Sequence, residues 1–200
     1  MINKDSFKGW KDYIKLSTPS MLMSLIEGGS FELLIIFSGL ISVEALAGSV
    51  LLNNISFVTY MVPLGVSIAA SALIGGELGK SNAREARYLY YCTLIIGVVT
   101  GVVLSIIVLL FRESVLGLYT DNEEVIKFAT PSVIPLALLI FFDSIQASLK
   151  GVFRSVGKQD EAALIILFTF GLIQNTLSPL LAFYYELDLV GLWTGCSVSS

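Results

Sequence analysis

Histidine is absent from this 200-residue chain, and charged residues are few. The absence of histidine excludes histidine proton relays, His-ligated metal sites and Ser-His-Asp triads. Asp, Glu, Lys and Arg make up only 14% of the sequence, against about 25% in soluble domains. The two cysteines, Cys92 and Cys196, both fall inside apolar runs, so neither a disulfide nor a metal pair is predicted. No cofactor is expected.

Apolar residues are instead abundant and continuous, since 55% of the chain is hydrophobic and the mean hydropathy is +0.82. A membrane-spanning helix needs about 20 mostly apolar residues, and successive blocks of that length fill the chain. Continuous runs favour helices over the short alternating segments of a β-barrel. The sequence therefore predicts one all-α transmembrane domain over residues 1–200, a six-helix lobe with five full spans and an incomplete sixth. The predicted spans are residues 14–39, 46–74, 89–111, 128–149, 162–185 and 190–200.

Basic residues are distributed unevenly between the polar segments that separate these spans. If alternate segments lie on opposite sides of the membrane, most basic residues fall on the side of the N-terminus. That side holds Lys4, Lys8, Lys11, Lys15, Lys80, Arg84, Arg87, Lys150, Arg154 and Lys158, and the other side holds Arg112 and Lys127. Because short cytoplasmic loops are enriched in Lys and Arg, a multi-pass integral membrane protein with a cytoplasmic N-terminus is predicted. Residues 1–15 are expected to form an amphipathic segment at the membrane interface.

Three carboxylates remain inside the predicted spans: Glu27, Glu32 and Asp143. An ionised side chain near the bilayer centre costs roughly 2.5–3.5 kcal/mol on insertion scales, so these acids are predicted to bind an ion or a substrate. Glu27 shares a helical face with Ser20, Ser24 and Phe31, which predicts the wall of a hydrated cavity. Glu32 lies about 140° farther round the helix and is predicted to face a neighbouring helix instead. Asp143 shares a face with Gln146 and Lys150.

The second span also carries a polar stripe, and its interpretation stays open. The stripe consists of Asn53, Ser56, Tyr60, Ser67 and Ser71. Such residues either line a path or pack against another helix through small side chains and hydroxyls. Gly97 and Gly101 in the third span fit a close-packing motif, but short motifs of this kind recur by chance.

The first span resembles the seventh helix of eukaryotic exporters of the MATE (multidrug and toxic compound extrusion) family. The residues that carry this resemblance are PSMLMSLIEGGSFELLIIFSG, with glutamates at positions 27 and 32. The segments LAGSVLLNNISFVTYMVPLGVSIAAS, GELG, AREAR, GVFRSVGKQ and GLWTG follow in the order and spacing of the family. The resemblance implies the second, C-terminal, of two six-helix lobes that face each other across a central cleft.

The resemblance also implies roles for individual residues. Glu27 and Glu32 match the paired glutamates that the family uses in proton coupling and in recognition of cationic substrates. Asp143 matches an acid of the tenth helix, and Asn54 matches a position that is acidic in mammalian members. Periodicity instead favours the residue before Asn54 for the cavity wall, and the sequence leaves that choice open. Lys150 stands where relatives tend to have glycine, so no family role is assigned to it.

Together these features predict one lobe of a secondary antiporter that exports organic, cationic compounds in exchange for protons rather than sodium ions. The predicted partners are a small organic substrate, the lipid bilayer and an N-terminal lobe that is missing from this chain. Nucleic acid is not expected, because the basic residues lack interleaved aromatics. Aromatic side chains are expected to supply apolar and cation–π contacts. The predicted cavity lining is Ser20, Ser24, Phe31, Tyr60, Phe142 and Gln146.

Three other interpretations are compatible with parts of this pattern. A lipid-linked oligosaccharide flippase of the same broad superfamily would be expected to carry basic residues inside the cavity, and none is predicted mid-span. An intramembrane aspartyl protease would need two aspartates, and Asp143 is the only one within a span, so no enzyme activity is predicted. The third interpretation is an inactive gene fragment. The choice between plasma membrane and vacuolar membrane stays open.

Overall fold

Long helices make up most of the computed structural model, which describes residues 10–200 apart from the side chains of Asp12 and Leu16. The helices are α1 (Trp10–Ile41), α2 (Val43–Gly79), α3 (Ala83–Leu110), α4 (Arg112–Gly117), α5 (Glu123–Ala129), α6 (Val133–Ser155), α7 (Gln159–Ile166), α8 (Asn175–Pro179) and α9 (Asp188–Ser199). A 3₁₀ turn, Thr130–Ser132, joins α5 to α6. The π-helical turns Leu167–Gln174 and Leu180–Tyr184 continue α7 and α8 into one helix.

Five stretches of the described chain are long and apolar enough to cross a membrane. They are Tyr13–Ile41, Val43–Gly79, Ala83–Leu110, Glu123–Ser155 and Gln159–Tyr184. Helix α9 has 12 residues, fewer than a full span requires. The prediction of an all-α membrane fold is therefore confirmed, and the described residues hold five helices of spanning length.

Each stretch of spanning length begins before the apolar block that predicted it, because its first turns are more polar. The span predicted at residues 46–74, for example, lies within α2. Ser42 alone separates α1 from α2, and its side chain accepts a hydrogen bond from the Ala45 N–H at 3.0 Å. The amphipathic segment predicted at residues 1–15 lies mostly outside the described residues, as do Lys4 and Lys8.

The polar segment between α2 and α3 is a short, hydrogen-bonded connection of residues 80–82. Lys80 Nζ donates to Glu77 Oε1 at 2.7 Å, and this bond raises the pKa of the exposed Lys80 ammonium above its usual value. Asn82 caps the N-terminus of α3, and its side chain accepts a hydrogen bond from the Glu85 N–H at 3.4 Å. The backbone reverses at Ser81 with a φ of 60°.

Helix α6 lies at the centre of the lobe, with α2 and α3 packed against it. A Cβ added to Gly101 would lie 3.0 Å from the carbonyl oxygen of Phe141, so the absence of a side chain at Gly101 favours this close approach of α3 to α6. Gly97 meets Ser148 one turn away. Between the same two helices, the Ser105 hydroxyl donates to the Ala137 carbonyl at 2.7 Å. The motif at positions 97 and 101 is thus a true helix contact.

Helix α9 packs into the lobe beside α8. Trp193 is fully buried, and its indole N–H donates to Ser49 Oγ of α2 at 3.4 Å. A Cβ added to Gly195 would lie 2.6 Å from the Cα of Ser178, so α9 and α8 approach at backbone distance. Outside these contacts, large apolar side chains such as Ile95, Val99 and Ile106 are exposed, as a lipid-facing surface requires.

Candidate functional site

A cavity of about 520 Å³ opens between α1, α2 and α6. Its size falls within the range of about 300–1,000 Å³ that is usual for small-molecule sites. Helix α1 packs against α2 on one side and against the α7–α8 helix on the other, and α2 packs against α6. The cavity therefore lies between α1 and the closely packed pair of α2 and α6.

Both glutamates of α1 line this one cavity. The prediction that Glu32 faces a neighbouring helix, away from Glu27, is wrong. Helix α1 packs through a narrow stripe of buried residues that includes Met23, Ser30 and Leu34. The side of α1 between Glu27 and Glu32, about 140° of the helix circumference at 3.6 residues per turn, therefore faces the cavity.

The wall contributed by α1 also contains the other residues that the serine stripe predicted. Ser20, Ser24 and Phe31 all line the cavity, as predicted from their common face with Glu27. The Phe31 ring also packs against the buried Phe170, with ring centroids 6.4 Å apart. The cavity wall here is therefore a mixture of hydroxyls, carboxylates and an aromatic ring.

Lys150 of α6 forms an ion pair with Glu27 inside the cavity. Only 8% of the Lys150 side chain and 18% of the Glu27 side chain are exposed. The Lys150 ammonium also lies 5.9 Å from the centroid of the Tyr60 ring, within cation–π distance. The prediction that the cavity contains no basic residue is wrong, because α6 continues to Ser155 and keeps Lys150 inside the helix. Its seven-residue spacing from Asp143 was the signal that could have located it.

A second basic side chain, Arg154, lines the cavity one helical turn beyond Lys150. Its Nη2 donates to Ser67 Oγ at 3.1 Å, and its Nε donates to the Lys150 carbonyl at 3.4 Å. Among the described residues, no carboxylate lies within 4.0 Å of the Arg154 guanidinium. Sequence reasoning had placed both basic residues in a polar segment outside the membrane.

Asp143 lies on the buried side of α6 and lines the same cavity. Its Oδ1 accepts a hydrogen bond from the Ser200 hydroxyl at 2.9 Å. The carboxyl also faces a small gap between α2 and α6 that is lined by Ser56 and Tyr60. The three acids that sequence reasoning selected are thus brought together around one space.

Three further predictions concern residues at the edge of this space. Asn53 lines the cavity, whereas Asn54 is exposed and does not, so periodicity located the wall better than the resemblance. Gln146 lines the cavity as predicted. Phe142 lies outside it, in an adjoining pocket of about 220 Å³, and its ring packs edge-on against Phe141. The interpretation of the second span as a lining helix is favoured by Asn53, Ser56 and Tyr60.

The charges of the cavity predict which ligands it can hold. Three carboxylates face two basic groups, so the wall carries an excess of one negative charge when all five are ionised. No group of three or more Asp, Glu, Cys or His residues that could hold a metal ion occurs within residues 10–200. The arrangement can bind an organic cation through carboxylates and aromatic rings.

Known proteins resemble this chain over nearly its whole length. Mouse multidrug and toxin extrusion protein 2 is 29% identical over 195 residues, which are 98% of this chain and 34% of the mouse protein. Protein DETOXIFICATION 16 of Arabidopsis thaliana is 35% identical over 96% of this chain and 40% of its own length. The crystal structure of the eukaryotic MATE transporter AtDTX14 superposes with a TM-score of 0.91 at 29% identity, and covers all of this chain and 45% of the transporter.

The chain therefore spans 34–45% of the length of these relatives. The family profile MatE matches residues 19–180, a range that contains every residue that lines the cavity. On this match, and on the superposition of the same helices, the chain belongs to the MatE family.

Proposed function

We propose that this chain is one lobe of a secondary active antiporter that exports organic cations in exchange for protons. The observation that carries the proposal is the convergence of Glu27, Glu32 and Asp143 on one cavity of about 520 Å³. Phe31 and Tyr60 line the same space, so a flat organic cation finds both charge and aromatic surface there. The similarity to mouse multidrug and toxin extrusion protein 2 supports export of small organic compounds.

Competition for the carboxylates supplies the coupling in this proposal. Withdrawal from water favours the neutral form of a carboxyl group, whereas a nearby cation favours the ionised form. A proton and an organic cation therefore exclude each other from the same carboxylate. Protonation from one side of the membrane releases the cation there, and binding of the next cation from the other side releases the proton.

Transport in this proposal requires a second lobe. The chain spans 34–45% of the relatives compared above, and alternating access arises when two bundles rock around a site between them. Pro63, Pro131 and Pro135 are the candidate bending points. The proposal keeps the N-terminus in the cytoplasm, because the basic residues favour that side, and it takes protons rather than sodium as the coupling ion.

A second candidate, a flippase for lipid-linked oligosaccharides, is favoured by one observation. Lys150 and Arg154 line the cavity, and basic groups there suit an anionic pyrophosphate link. Antiport remains the preferred proposal, because carboxylates outnumber basic groups and Glu27 already neutralises Lys150.

The first prediction tests the antiporter directly. Vesicles that contain the complete two-lobe transporter are given an imposed pH gradient, and uptake of a fluorescent organic cation is followed. We expect gradient-dependent uptake that falls at least tenfold in Glu32→Gln, because the neutral amide binds neither a proton nor a cation. Glu161→Gln is the matched control, since Glu161 is an exposed carboxylate that pairs with Lys158 outside the cavity. Unchanged uptake in both Glu27→Gln and Glu32→Gln would contradict the proposal.

A further inference from the structure

In the proposed function Glu27 binds the substrate, but in this structure the ammonium of Lys150 already occupies that carboxylate. Its ammonium pairs with Glu27, and both side chains are largely withdrawn from solvent. The pair joins α1 to α6 across the cavity, and Tyr60 of α2 completes the surroundings of the ammonium. Any ligand that binds Glu27 must therefore first displace the Lys150 ammonium.

A simple monocation is a poor competitor for this carboxylate. To reach Glu27 it must break the ion pair, and it then leaves Lys150 buried without a counter-ion. Removal of one partner of a buried pair is strongly unfavourable, because the remaining charge has lost both water and partner. Among the described residues, the other acid near Lys150 is Asp143, whose Oδ1 already accepts a hydrogen bond from Ser200.

A compound that carries both a cation and a carboxylate avoids this penalty. Its cationic group replaces Lys150 at Glu27, while its carboxylate binds the released ammonium. One ion pair is thereby exchanged for two, and no buried charge is left alone.

Arg154 extends the anion-binding end of the cavity. It follows Lys150 by four residues, so both side chains lie on the same face of α6. Its guanidinium is held by the Ser67 hydroxyl, has no carboxylate within 4.0 Å among the described residues, and keeps N–H groups for a ligand. Glu32 lies five residues beyond Glu27 on α1, about 7.5 Å farther along that helix at 1.5 Å per residue. Helix α1 thus offers acidic groups and the end of α6 offers basic ones.

We propose that this cavity selects zwitterionic organic compounds, whose cation binds Glu27 and Glu32 and whose carboxylate binds Lys150 and Arg154. The inference rests on the proposed function, because it names the substrate class of the same cavity. It assigns Lys150 the role of a specificity-determining residue. Its ammonium disfavours monocations relative to zwitterions and pairs with the acidic group of the ligand.

The second prediction tests this selectivity with two dyes that share one skeleton. Rhodamine 110 carries a free carboxylate and is a zwitterion, whereas rhodamine 123 is its methyl ester and a monocation. Binding of each dye to the purified 200-residue chain in lipid nanodiscs is measured by fluorescence polarisation. We expect at least tenfold tighter binding of rhodamine 110 by the wild-type chain. In Lys150→Met the preference should fall below twofold or reverse, and Lys150→Arg should retain it.

The matched control is Lys158→Met, because Lys158 is an exposed lysine that pairs with Glu161 outside the cavity. It should bind both dyes as the wild type does. Equal or tighter binding of rhodamine 123 by the wild-type chain overturns the inference, as does full retention of the preference in Lys150→Met. If Lys150→Met does not fold, the inference is still tested by the ratio of the dissociation constants of the two dyes, measured on the wild-type chain and on Lys150→Arg. Failure of the proposed function has a different signature, which is the absence of uptake driven by a pH gradient for either dye.

Discussion

Two adjacent amides on α2 have different surroundings, and this difference can be measured. Asn53 lines the cavity near the α1 carboxylates, whereas Asn54 points away from it and is exposed. Neighbouring residues on a helix are about 100° apart, so a single position decides whether a side chain reaches the ligand.

The third prediction follows from this pair. Asn53→Ala should weaken binding of the preferred substrate about two- to tenfold, because a net hydrogen bond contributes about 0.5–1.5 kcal/mol. Asn54→Ala is the matched control and should leave the dissociation constant within twofold of the wild type. Titration of each variant with a fluorescent substrate checks both values. A larger loss in Asn54→Ala than in Asn53→Ala would show that the cavity wall lies on the other side of α2.

The sequence predicts the three acids of the site but not Lys150, the basic residue that pairs with one of them. Glu27, Glu32 and Asp143 stood out because ionised groups inside a span are costly. Lys150 lies near the end of an apolar run, so it resembled an ordinary loop lysine. Its burial depends on Glu27, which is 123 positions away in the sequence. The spacing of Lys150 from Asp143 places both on one face of α6, but only the arrangement of the helices around one cavity shows that its partner is Glu27.

At the scale of the helices, close approach of α3 to α6 depends on the absence of a side chain at two positions. A Cβ at Gly101 would lie 3.0 Å from the Phe141 carbonyl oxygen and 3.1 Å from Ser144 Cβ. Such distances force the helices apart or bend their backbones, since packed interiors accommodate little extra volume.

The fourth prediction concerns this contact. Gly101→Ala should lower the free energy of unfolding by about 1–3 kcal/mol, the usual cost of overpacking. Gly65→Ala is the matched control, because nothing lies within 4 Å of a Cβ at that position of α2. Reversible unfolding in detergent, followed by circular dichroism, compares the two variants. A loss of similar size in both would mean that helix flexibility, rather than the α3–α6 contact, controls stability.

The helices themselves were predictable because their lipid-facing surfaces are continuous and apolar. Their ends were less predictable, since α2 runs through the polar residues up to Gly79 and is capped only at residues 80–82. The contact at Gly97 and Gly101 was discounted, because a single sequence does not show which face of α3 meets α6. The wide turns that join α7 to α8 have no hydropathy signature at all.

The orientation of the whole lobe in the membrane determines on which side of the membrane each end of the cavity lies. The bias of Lys and Arg toward the segments beside α1, α2, α3, α6 and α7 favours a cytoplasmic N-terminus. In that orientation the α2–α3 connection lies on the cytoplasmic side, and the segment around α4 lies on the opposite side of the membrane.

The fifth prediction tests this orientation with single cysteines in a Cys92→Ala background. Cys196 is fully buried and remains in place. A membrane-impermeant maleimide is added to intact cells that carry the protein in the plasma membrane. It should label Leu118→Cys, an exposed position after α4, and should not label Ala83→Cys at the start of α3. Permeabilised cells provide the control, since both positions should then react. Labelling of Ala83→Cys alone in intact cells would show that the orientation is the reverse of the predicted one.

The distance in sequence between Glu27 and Lys150 also constrains how the protein is made. Chains emerge from the ribosome N-terminal end first, at about 5–20 residues per second. The separation of 123 positions between the two partners therefore delays their meeting by about 6–25 s. During that interval Glu27 of α1 has been synthesised, whereas α6, which carries Lys150, has not. The ion pair closes only once α6 has entered the bilayer, so this lobe completes its binding site late in biogenesis.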